Sequence, residues 1–300
     1  MRQLLHPDGP EFSKFIAGMW RLRNWNLSEN ELEYYIKTCI DSGITTFDHA
    51  DIYGCYSCEN IFGQVLKKHP EVRNRIELVS KCGIMLKCEK TTDRKLGYYD
   101  TSAKHIIQSA ENSLKALNTD FLDLLLIHRP DPLMDPEEIA SAFYELQSSG
   151  KVKHFGVSNF TVSQYDMLQA YCDFPIVTNQ IEFNLFCTQP IYDGTLDQSI
   201  KYKAYPMIWS PLAGGRIFKP EDERSHRLYN ELNVIKEEVN AEGIDQIAIA
   251  WLLKHPSRPF IVLGSGQINR ILSQARSGKV ELSREQWFRL LKASHGHDVP

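Results

Sequence analysis

Long hydrophobic runs, a positive net charge and blocks of like charge are all missing from this chain of 300 residues. Its apolar runs fall far short of the about 20 residues that a membrane-spanning helix needs. A net charge of −4 argues against a nucleic-acid or anionic-membrane surface, because those partners usually need a basic footprint. We therefore expect a protein that binds neither nucleic acid nor membrane.

We also expect no signal peptide. Residues 1–14 have neither the basic start nor the apolar stretch of such a segment. The composition, with 42% hydrophobic and 24% charged residues, is that of an ordinary globular protein. These features predict a cytoplasmic location.

Cysteines are few, and the seven that occur are odd in number and irregularly spaced, which argues against a secreted disulfide framework. Cys55 and Cys58 form a C-x-x-C motif. A zinc site would need a second pair, and Cys82 with Cys88 has poor spacing for one. A redox role remains open because Cys58 is positioned to begin a helix. The simpler interpretation is two small residues in a loop, and we predict no metal site.

Predicted strands alternate with amphipathic segments along almost the whole chain. The strand segments are short, β-branched and apolar on both faces, as in a parallel sheet that helices cover. The predicted strands are 15–19, 45–47, 76–80, 122–127, 154–157, 177–180, 207–209 and 261–263. The predicted helices are 28–42, 59–68, 102–117, 136–148, 163–170, 190–203, 225–242 and 245–254.

This alternation predicts an α/β fold, either a closed barrel or an open doubly wound sheet. An open nucleotide-binding sheet should have a glycine-rich turn after its first strand, and residues 20–23 contain no glycine. Eight strand–helix units in this length fit a (β/α)8 TIM barrel. Because no linker or composition break interrupts the chain, we predict a single domain over 1–300.

Four polar residues lie at or just beyond the ends of three predicted strands: Asp48, Tyr53, Lys81 and His128. The carboxyl ends of parallel strands share one edge, so these side chains are expected to meet there. A tyrosine hydroxyl with an ordinary pKa of about 10 is a poor proton donor near neutrality. A neighbouring lysine would lower that pKa, and a carboxylate would keep the lysine charged. Such a site suits hydride reduction of an aldehyde or ketone.

Each of these residues also has a simpler interpretation when taken alone. Asp48 is the kind of residue that caps a turn, and His128 the kind that packs with its hydrogen bonds satisfied. Lys81 is the least ordinary, since lysine is rarely buried without a partner. Joint placement on neighbouring strands favours the catalytic interpretation.

The segment 43–54, Gly-Ile-Thr-Thr-Phe-Asp-His-Ala-Asp-Ile-Tyr-Gly, resembles the aldo-keto reductase signature around the catalytic aspartate and tyrosine. Further segments that resemble this family are 78–81, 123–128, 150–160, 179–184 and 209–215. The resemblance extends from about residue 15 to about residue 274. It implies a (β/α)8 barrel that reduces small-molecule carbonyls with NADPH, without a metal, and that is a monomer.

The resemblance also implies roles for individual residues. Tyr53 would be the general acid, Lys81 and Asp48 its tuning pair, and His128 the group that orients the substrate. The residues matching the family's cofactor site, mainly in loops within 155–275, are Ser158, Asn159, Gln180, Trp209, Ser210, Leu212, Gly214, Gly264, Ser265, Arg270 and Gln274.

The adenine end of the implied cofactor site departs from the family at one position. Gly264 stands where many members carry lysine, which weakens the case for a 2′-phosphate. Arg270 can still hold a phosphate with two hydrogen bonds, so the sequence favours NADPH over NADH.

The substrate end is less specific. Trp20, His128 and Arg129 are expected to line the substrate pocket, and the insert 82–99 would partly cover it. An alternative function is an NADPH-binding regulatory or redox-sensing subunit with slow turnover. A metal-dependent barrel hydrolase would need clustered ligands at the strand ends, which this sequence lacks.

Overall fold

The eight predicted strands form one closed parallel barrel, as the sequence predicted. The computed structural model describes residues 1–298, so the last two residues of the predicted domain 1–300 lie outside the described part. The barrel strands are Phe15–Gly18, Thr46–Asp48, Glu77–Cys82, Leu122–Ile127, Val152–Ser158, Ile176–Glu182, Met207–Trp209 and Phe260–Leu263. The last strand pairs with the first, Ile261 opposite Phe15, and this pairing closes the barrel.

Helices follow the strands and cover the outside of the barrel. They span Glu29–Asp41, Cys58–Lys68, Ala103–Leu117, Pro136–Ser148, Val162–Gln169, Thr195–Tyr202, Glu223–Glu238, Ile244–Leu253, Ile268–Ala275 and Arg284–His295. A capping box between Ser28 and Glu31 begins the first helix by satisfying free backbone N–H groups. Within residues 1–298, none of the helices has the length and apolar character needed to cross a membrane.

Two predictions about the helices were wrong or incomplete. The predicted helix 190–203 is a short 3-10 turn, Gln189–Ile191, followed by a helix that begins after Gly194. Gly194 has a φ of +86°, a left-handed conformation that interrupts a helix. The last two helices, Ile268–Ala275 and Arg284–His295, were not predicted.

A hairpin before the first barrel strand closes the amino-terminal end of the barrel. Its strands, Arg2–Leu4 and Glu11–Ser13, pair antiparallel. Phe12 is fully buried and packs with interior barrel side chains such as Leu124 and Leu126. Apolar side chains therefore fill this end, and the opposite, carboxyl end is left for polar groups.

An insert, residues 83–100, follows the strand Glu77–Cys82 at the carboxyl end of the barrel. It contains a second antiparallel hairpin, formed by Ile84–Met85 and Tyr98–Tyr99. The backbone N–H of Asp100 donates to the carbonyl of Gly83, which brings the two ends of the insert together. The insert is therefore a long loop at the same end of the barrel as the predicted site.

Candidate active site

Parallel strand register brings the predicted polar residues to one end of the barrel. Asp48 is the last residue of its strand, Lys81 the next-to-last of its own, and His128 follows Ile127 directly. Lys81 lies opposite Leu126 in the neighbouring strand. The expectation that the four residues meet at a shared edge is therefore met in the fold.

Lys81 lies at the centre of this group. Its side chain is 0% exposed, and its Nζ donates to Asp48 Oδ2 at 2.7 Å and to the His49 carbonyl oxygen at 2.7 Å. The third acceptor is the Tyr53 hydroxyl oxygen at 3.1 Å. An ammonium has three donors, and all three are used here. The buried charge is thus neutralised by one carboxylate and fixed in direction.

The charge balance sets the pKa values of this group. Burial alone would lower the pKa of Lys81, but the Asp48 carboxylate and Tyr53 raise it above its ordinary value. Burial raises the pKa of Tyr53, and the nearby Lys81 ammonium offsets this only in part. The expectation that the pKa of Tyr53 is lowered is therefore wrong, because the pKa is raised overall. The phenol is held in its protonated, donating form, and the ammonium stabilises any phenolate that proton release creates.

His128 faces the same hydroxyl-bearing ring. The ring centroids of Tyr53 and His128 are 5.8 Å apart, with an interplanar angle of 78°. Burial, together with the positive charges of Lys81 and Arg129, holds the pKa of His128 well below its ordinary value. Its buried Nδ1 has no hydrogen-bond partner within residues 1–298. A neutral imidazole in this position can hydrogen-bond a substrate oxygen.

A chain of hydrogen bonds runs from Asp48 to the residues that the resemblance assigns to the nicotinamide. Gln180 Nε2 donates to Asp48 Oδ1 at 2.9 Å, and the Ser158 hydroxyl donates to the Gln180 carbonyl at 2.9 Å. Asn159 Nδ2 donates to Ser158 Oγ at 2.7 Å. Trp209 Nε1 donates to Asn159 Oδ1 at 3.0 Å, which fixes the indole ring. The carboxylate and the ring are therefore held in one connected network.

The loop after the seventh barrel strand contains several residues with left-handed backbone. Ser210, Gly214 and Gly215 all have positive φ values, of 55°, 65° and 96°. A Cβ added at Gly214 or Gly215 would meet no atom within 4 Å, so space remains beside this backbone. Leu212 lies within the same loop and is half-buried. A left-handed backbone with open space beside it allows a ligand to approach closely.

The predicted adenine end lies after the eighth barrel strand. The Ser265 carbonyl accepts from the Tyr35 hydroxyl at 2.9 Å, and a Cβ at Gly266 would lie 2.5 Å from the Trp25 ring. These contacts fix the course of the loop. Gly264 is different, since a Cβ there would meet nothing within 4 Å. The missing lysine therefore leaves open space.

Two predicted adenine-end residues lie on the helix Ile268–Ala275. Arg270 is exposed in its first turn, and its guanidinium has no ion-pair partner among residues 1–298. Gln274 is buried on the inner face of the same helix. A free cation at a helix start suits a phosphate group.

The three predicted substrate residues occupy different environments. Trp20 is 59% exposed. The guanidinium of Arg129 lies over the Trp209 ring, 5.7 Å from its centroid. His128 lies beside Tyr53, as described above. Of the three, His128 and Arg129 therefore lie beside other residues of the candidate site, Tyr53 and Trp209.

The sequence analysis missed a disulfide between Cys55 and Cys88. The C-x-x-C motif is not itself bonded, because Cys58 is a free thiol in the first turn of its helix. Cys55, Cys88 and Glu89 have ligand atoms within 4.8 Å of one another, but the two sulfurs are bonded to each other. One signal for this pair was available, since both cysteines follow neighbouring strands at the same edge.

Two buried carboxyl groups behind Lys81 were also missed. Burial raises the pKa of Asp51 to about 7, although the Ser109 hydroxyl donates to it at 2.7 Å. Burial likewise raises the pKa of Glu59 to about 7, and Ser80 donates to it at 2.5 Å. The negative charge of Glu59 also raises the pKa of Asp51.

Comparison with known proteins gives a consistent picture. The model of the aldo/keto reductase family matches residues 14–294. The chain is 49% identical to oxidoreductase YdhF of Escherichia coli (strain K12), over all of this chain and 99% of that protein. It is 39% identical to a 6-dehydroglucose reductase of Agrobacterium fabrum, over the full length of both. Its fold is similar to the crystal structure of a thermostable aldo-keto reductase, Tm1743, bound to the inhibitor epalrestat. That match has a TM-score of 0.81 and 26% identity over 98% of this chain and 99% of that one.

Proposed function

Because this chain belongs to the aldo/keto reductase family, we propose that it uses NADPH to reduce aldehydes or ketones to alcohols, with Tyr53 as the general acid. The observation that carries this proposal is the contact of Lys81 Nζ with both Asp48 Oδ2, at 2.7 Å, and the Tyr53 hydroxyl, at 3.1 Å. The phenol can donate a proton. The neighbouring ammonium stabilises the phenolate that remains, and the carboxylate keeps the ammonium charged.

Each of these residues has a separate part in the transfer of the proton. Tyr53 donates its proton to the carbonyl oxygen of the substrate as negative charge develops there. Lys81 stabilises the resulting phenolate, and Asp48 keeps Lys81 charged and oriented. Neutral His128 donates a hydrogen bond to the same substrate oxygen and positions it. When bound, the reduced nicotinamide supplies the hydride.

The residues present fit a nicotinamide dinucleotide. The amide of Asn159, the hydroxyl of Ser158 and the ring of Trp209 would hold the nicotinamide end. The open backbone of Gly214 would hold phosphate. Ser210, Leu212, Gln180, Gly264 and Gln274 would complete the site, as the resemblance implies.

Arg270 and Ser265 support NADPH over NADH. The guanidinium of Arg270 is exposed and free of ion pairs among the described residues, so it is available for a 2′-phosphate. Arg270→Ala should raise the Kd of NADPH by at least about tenfold and change that of NADH by less than twofold. Quenching of indole fluorescence measures both constants. Arg284→Ala, which removes the same charge from an exposed position on another helix, is the control, and an equal loss for both nucleotides would exclude the 2′-phosphate role.

The substrate class is best tested with a screen. Purified protein, NADPH or NADH, and a panel of carbonyls should be followed by loss of nicotinamide absorbance at 340 nm. The panel should contain nitrobenzaldehyde, a quinone, a dicarbonyl and a sugar-derived aldehyde. The sugar aldehyde is included because a similar protein is named a 6-dehydroglucose reductase. No consumption of either nucleotide with any carbonyl would contradict the proposed reaction and would favour the regulatory-subunit alternative.

The family resemblance further supports a monomer. Size-exclusion chromatography with light scattering should give a mass near 34.6 kDa. A mass of twice this value would contradict that part of the proposal.

A further inference from the structure

The disulfide between Cys55 and Cys88 joins two segments of the catalytic end of the barrel. The two residues are separated by 33 positions in sequence, and their Cα atoms are 6.0 Å apart, an ordinary span for a protein disulfide. Cys55 comes two residues after Tyr53, and Cys88 lies in the insert 83–100. The bond therefore ties the insert to the segment that carries the proposed general acid.

We propose that this pair is a reversible thiol–disulfide switch that controls how firmly the insert is held at the catalytic end. The other five cysteines are free thiols, so the bond does not belong to a disulfide framework. It joins two segments that follow neighbouring barrel strands rather than two barrel strands. Cys88 is half-buried, whereas Cys55 is only 8% exposed, so an external reagent meets Cys88 first.

The reagents are a small-molecule disulfide and a dithiol. In the oxidising direction the Cys88 thiolate attacks the small disulfide and releases one thiolate. The Cys55 thiolate then attacks the Cys88 sulfur of this mixed disulfide and releases the second thiolate. The net reaction converts two protein thiols and one small disulfide into one protein disulfide and two small thiols. A dithiol reverses it and becomes a cyclic disulfide.

Without the bond, the insert is anchored by polar contacts with Tyr56 and by an exposed ion pair between Glu89 and Arg23. The Tyr56 hydroxyl oxygen accepts from the Leu86 N–H at 3.1 Å and from Arg94 Nη1 at 2.8 Å. Lys90 Nζ donates to the Tyr56 carbonyl at 3.2 Å. These contacts are exposed or only part-buried, so each contributes little stability. Reduction is therefore expected to loosen the insert.

The backbone beside Tyr53 also depends on its surroundings. Gly54, Cys55 and Tyr56 have consecutive positive φ values of 58°, 54° and 58°. Two of the three carry a side chain, and such residues keep a left-handed conformation only where the structure around them holds it. The disulfide constrains the middle residue of this run. By contrast, the contact between Lys81 and Tyr53 does not pass through the insert.

The first test is chemical and needs no substrate. The full chain is equilibrated with glutathione disulfide or with dithiothreitol, and free thiols are alkylated. Peptides are then mapped by mass spectrometry. Cys55 and Cys88 should be joined in the first sample and alkylated in the second. Trypsin should cut the reduced protein within 83–100, at exposed Lys87, Lys90 or Lys95, about tenfold faster than the oxidised protein.

The second test is kinetic and rests on the proposed carbonyl reduction. Reduction should raise the KM for the carbonyl by at least about threefold, because a loosened insert no longer shapes the substrate end. The kcat should change by less than about twofold, because the Lys81–Tyr53 contact is retained. Cys88→Ser should behave as the reduced protein in both samples, and Cys172→Ser, a free thiol elsewhere, should respond like the unaltered chain.

Two results would overturn the switch. In one, both cysteines are alkylated after treatment with glutathione disulfide. In the other, the bond forms but tryptic cleavage and KM are equal in the two states. Since alkylation and proteolysis do not depend on turnover, failure of the switch is distinguishable from failure of the proposed reaction.

Discussion

A fully buried lysine is the residue on which the candidate site depends. Lys81 is 0% exposed and is paired to Asp48 at 2.7 Å. A buried charge is tolerated only with a partner, and removing one member leaves the other uncompensated. The proposed catalysis and the stability of the fold therefore depend on the same contact.

Lys81→Met should lower the free energy of unfolding at pH 7 by about 3 kcal/mol, because it leaves the buried Asp48 carboxylate without its charge partner. The double variant Asp48→Asn with Lys81→Met should recover part of this loss, since no charge is left unpaired. Urea denaturation measures both. Lys37→Met is the matched control, because it breaks a more exposed pair with Glu33 on a helix, and should cost less than about 0.5 kcal/mol. Equal losses at the two lysines would contradict this account.

The buried carboxyl groups of Asp51 and Glu59 predict a pH dependence. Their pKa values are raised from ordinary values of 3.8 and 4.5 to about 7, so the folded state binds their protons more tightly than the unfolded state. The stability that they contribute is complete below about pH 4 and is lost as the pH rises through about 7.

This dependence can be measured by urea denaturation between pH 5 and pH 8. The double variant Asp51→Asn with Glu59→Gln should reduce the fall of the unfolding free energy with rising pH. Each tenfold difference in proton affinity between the folded and unfolded states corresponds to about 1.4 kcal/mol. Asp120→Asn, at an exposed carboxyl, should leave the profile unchanged. A profile that the double variant does not alter would show that these groups do not titrate as described.

The sequence could predict that the candidate site residues share one barrel edge, but not all of their contacts. Asp48, Lys81 and His128 each follow or end an apolar run, so their shared edge was predictable. The hydrogen bond from Gln180 to Asp48 joins residues 132 positions apart and left no local signal. The raised pKa of Tyr53 could not be predicted from the sequence either, because it depends on how deeply the ring is buried in the folded chain.

At the scale of elements, the alternation of predicted strands and helices, together with the chain length and the missing glycine-rich turn, was enough to predict the barrel. All eight barrel strands overlap the predicted segments, since buried parallel strands are short and apolar on both faces. The two hairpins were missed. The strands of the insert hairpin, Ile84–Met85 and Tyr98–Tyr99, are two residues each, too short to show any periodicity. The disulfide between Cys55 and Cys88 was missed because its one signal, that both cysteines follow neighbouring strands at the same edge, does not show which loops meet.

The loop after the eighth strand gives a prediction about cofactor choice. Gly264→Lys should be accommodated, because a Cβ at this position meets nothing within 4 Å. The added cation should lower the Kd of NADPH about fivefold to tenfold relative to that of NADH. Fluorescence titration with both nucleotides measures the ratio. Gly264→Ala tests the backbone effect alone and should leave the ratio unchanged, and a ratio unaffected by lysine would place the 2′-phosphate elsewhere.

At the scale of the whole molecule, the barrel has one apolar end and one polar end. The amino-terminal hairpin fills the first, and the candidate site occupies the second. The side chains that pack the apolar end are thus different from those of the candidate site. Substitutions in the hairpin should therefore change the free energy of unfolding and leave the site intact.

Phe12→Ala tests this separation. Phe12 is fully buried among interior barrel residues, so its truncation should cost about 3 to 5 kcal/mol of unfolding free energy. The kcat for the carbonyl identified by the screen should stay within about twofold of the unaltered value. Leu4→Ala, in the same hairpin but half exposed, should cost less than about 1 kcal/mol. A large loss of kcat in folded Phe12→Ala would show that the two ends are coupled.

The central claim is that Tyr53 donates the proton in carbonyl reduction, and its most direct test is the turnover of Tyr53→Phe. This variant keeps the ring beside His128 and removes only the hydroxyl that Lys81 contacts at 3.1 Å. The kcat of NADPH-dependent reduction should fall by at least about a hundredfold, with the Kd of NADPH changed by less than about twofold. A variant that kept the unaltered rate would contradict the assignment.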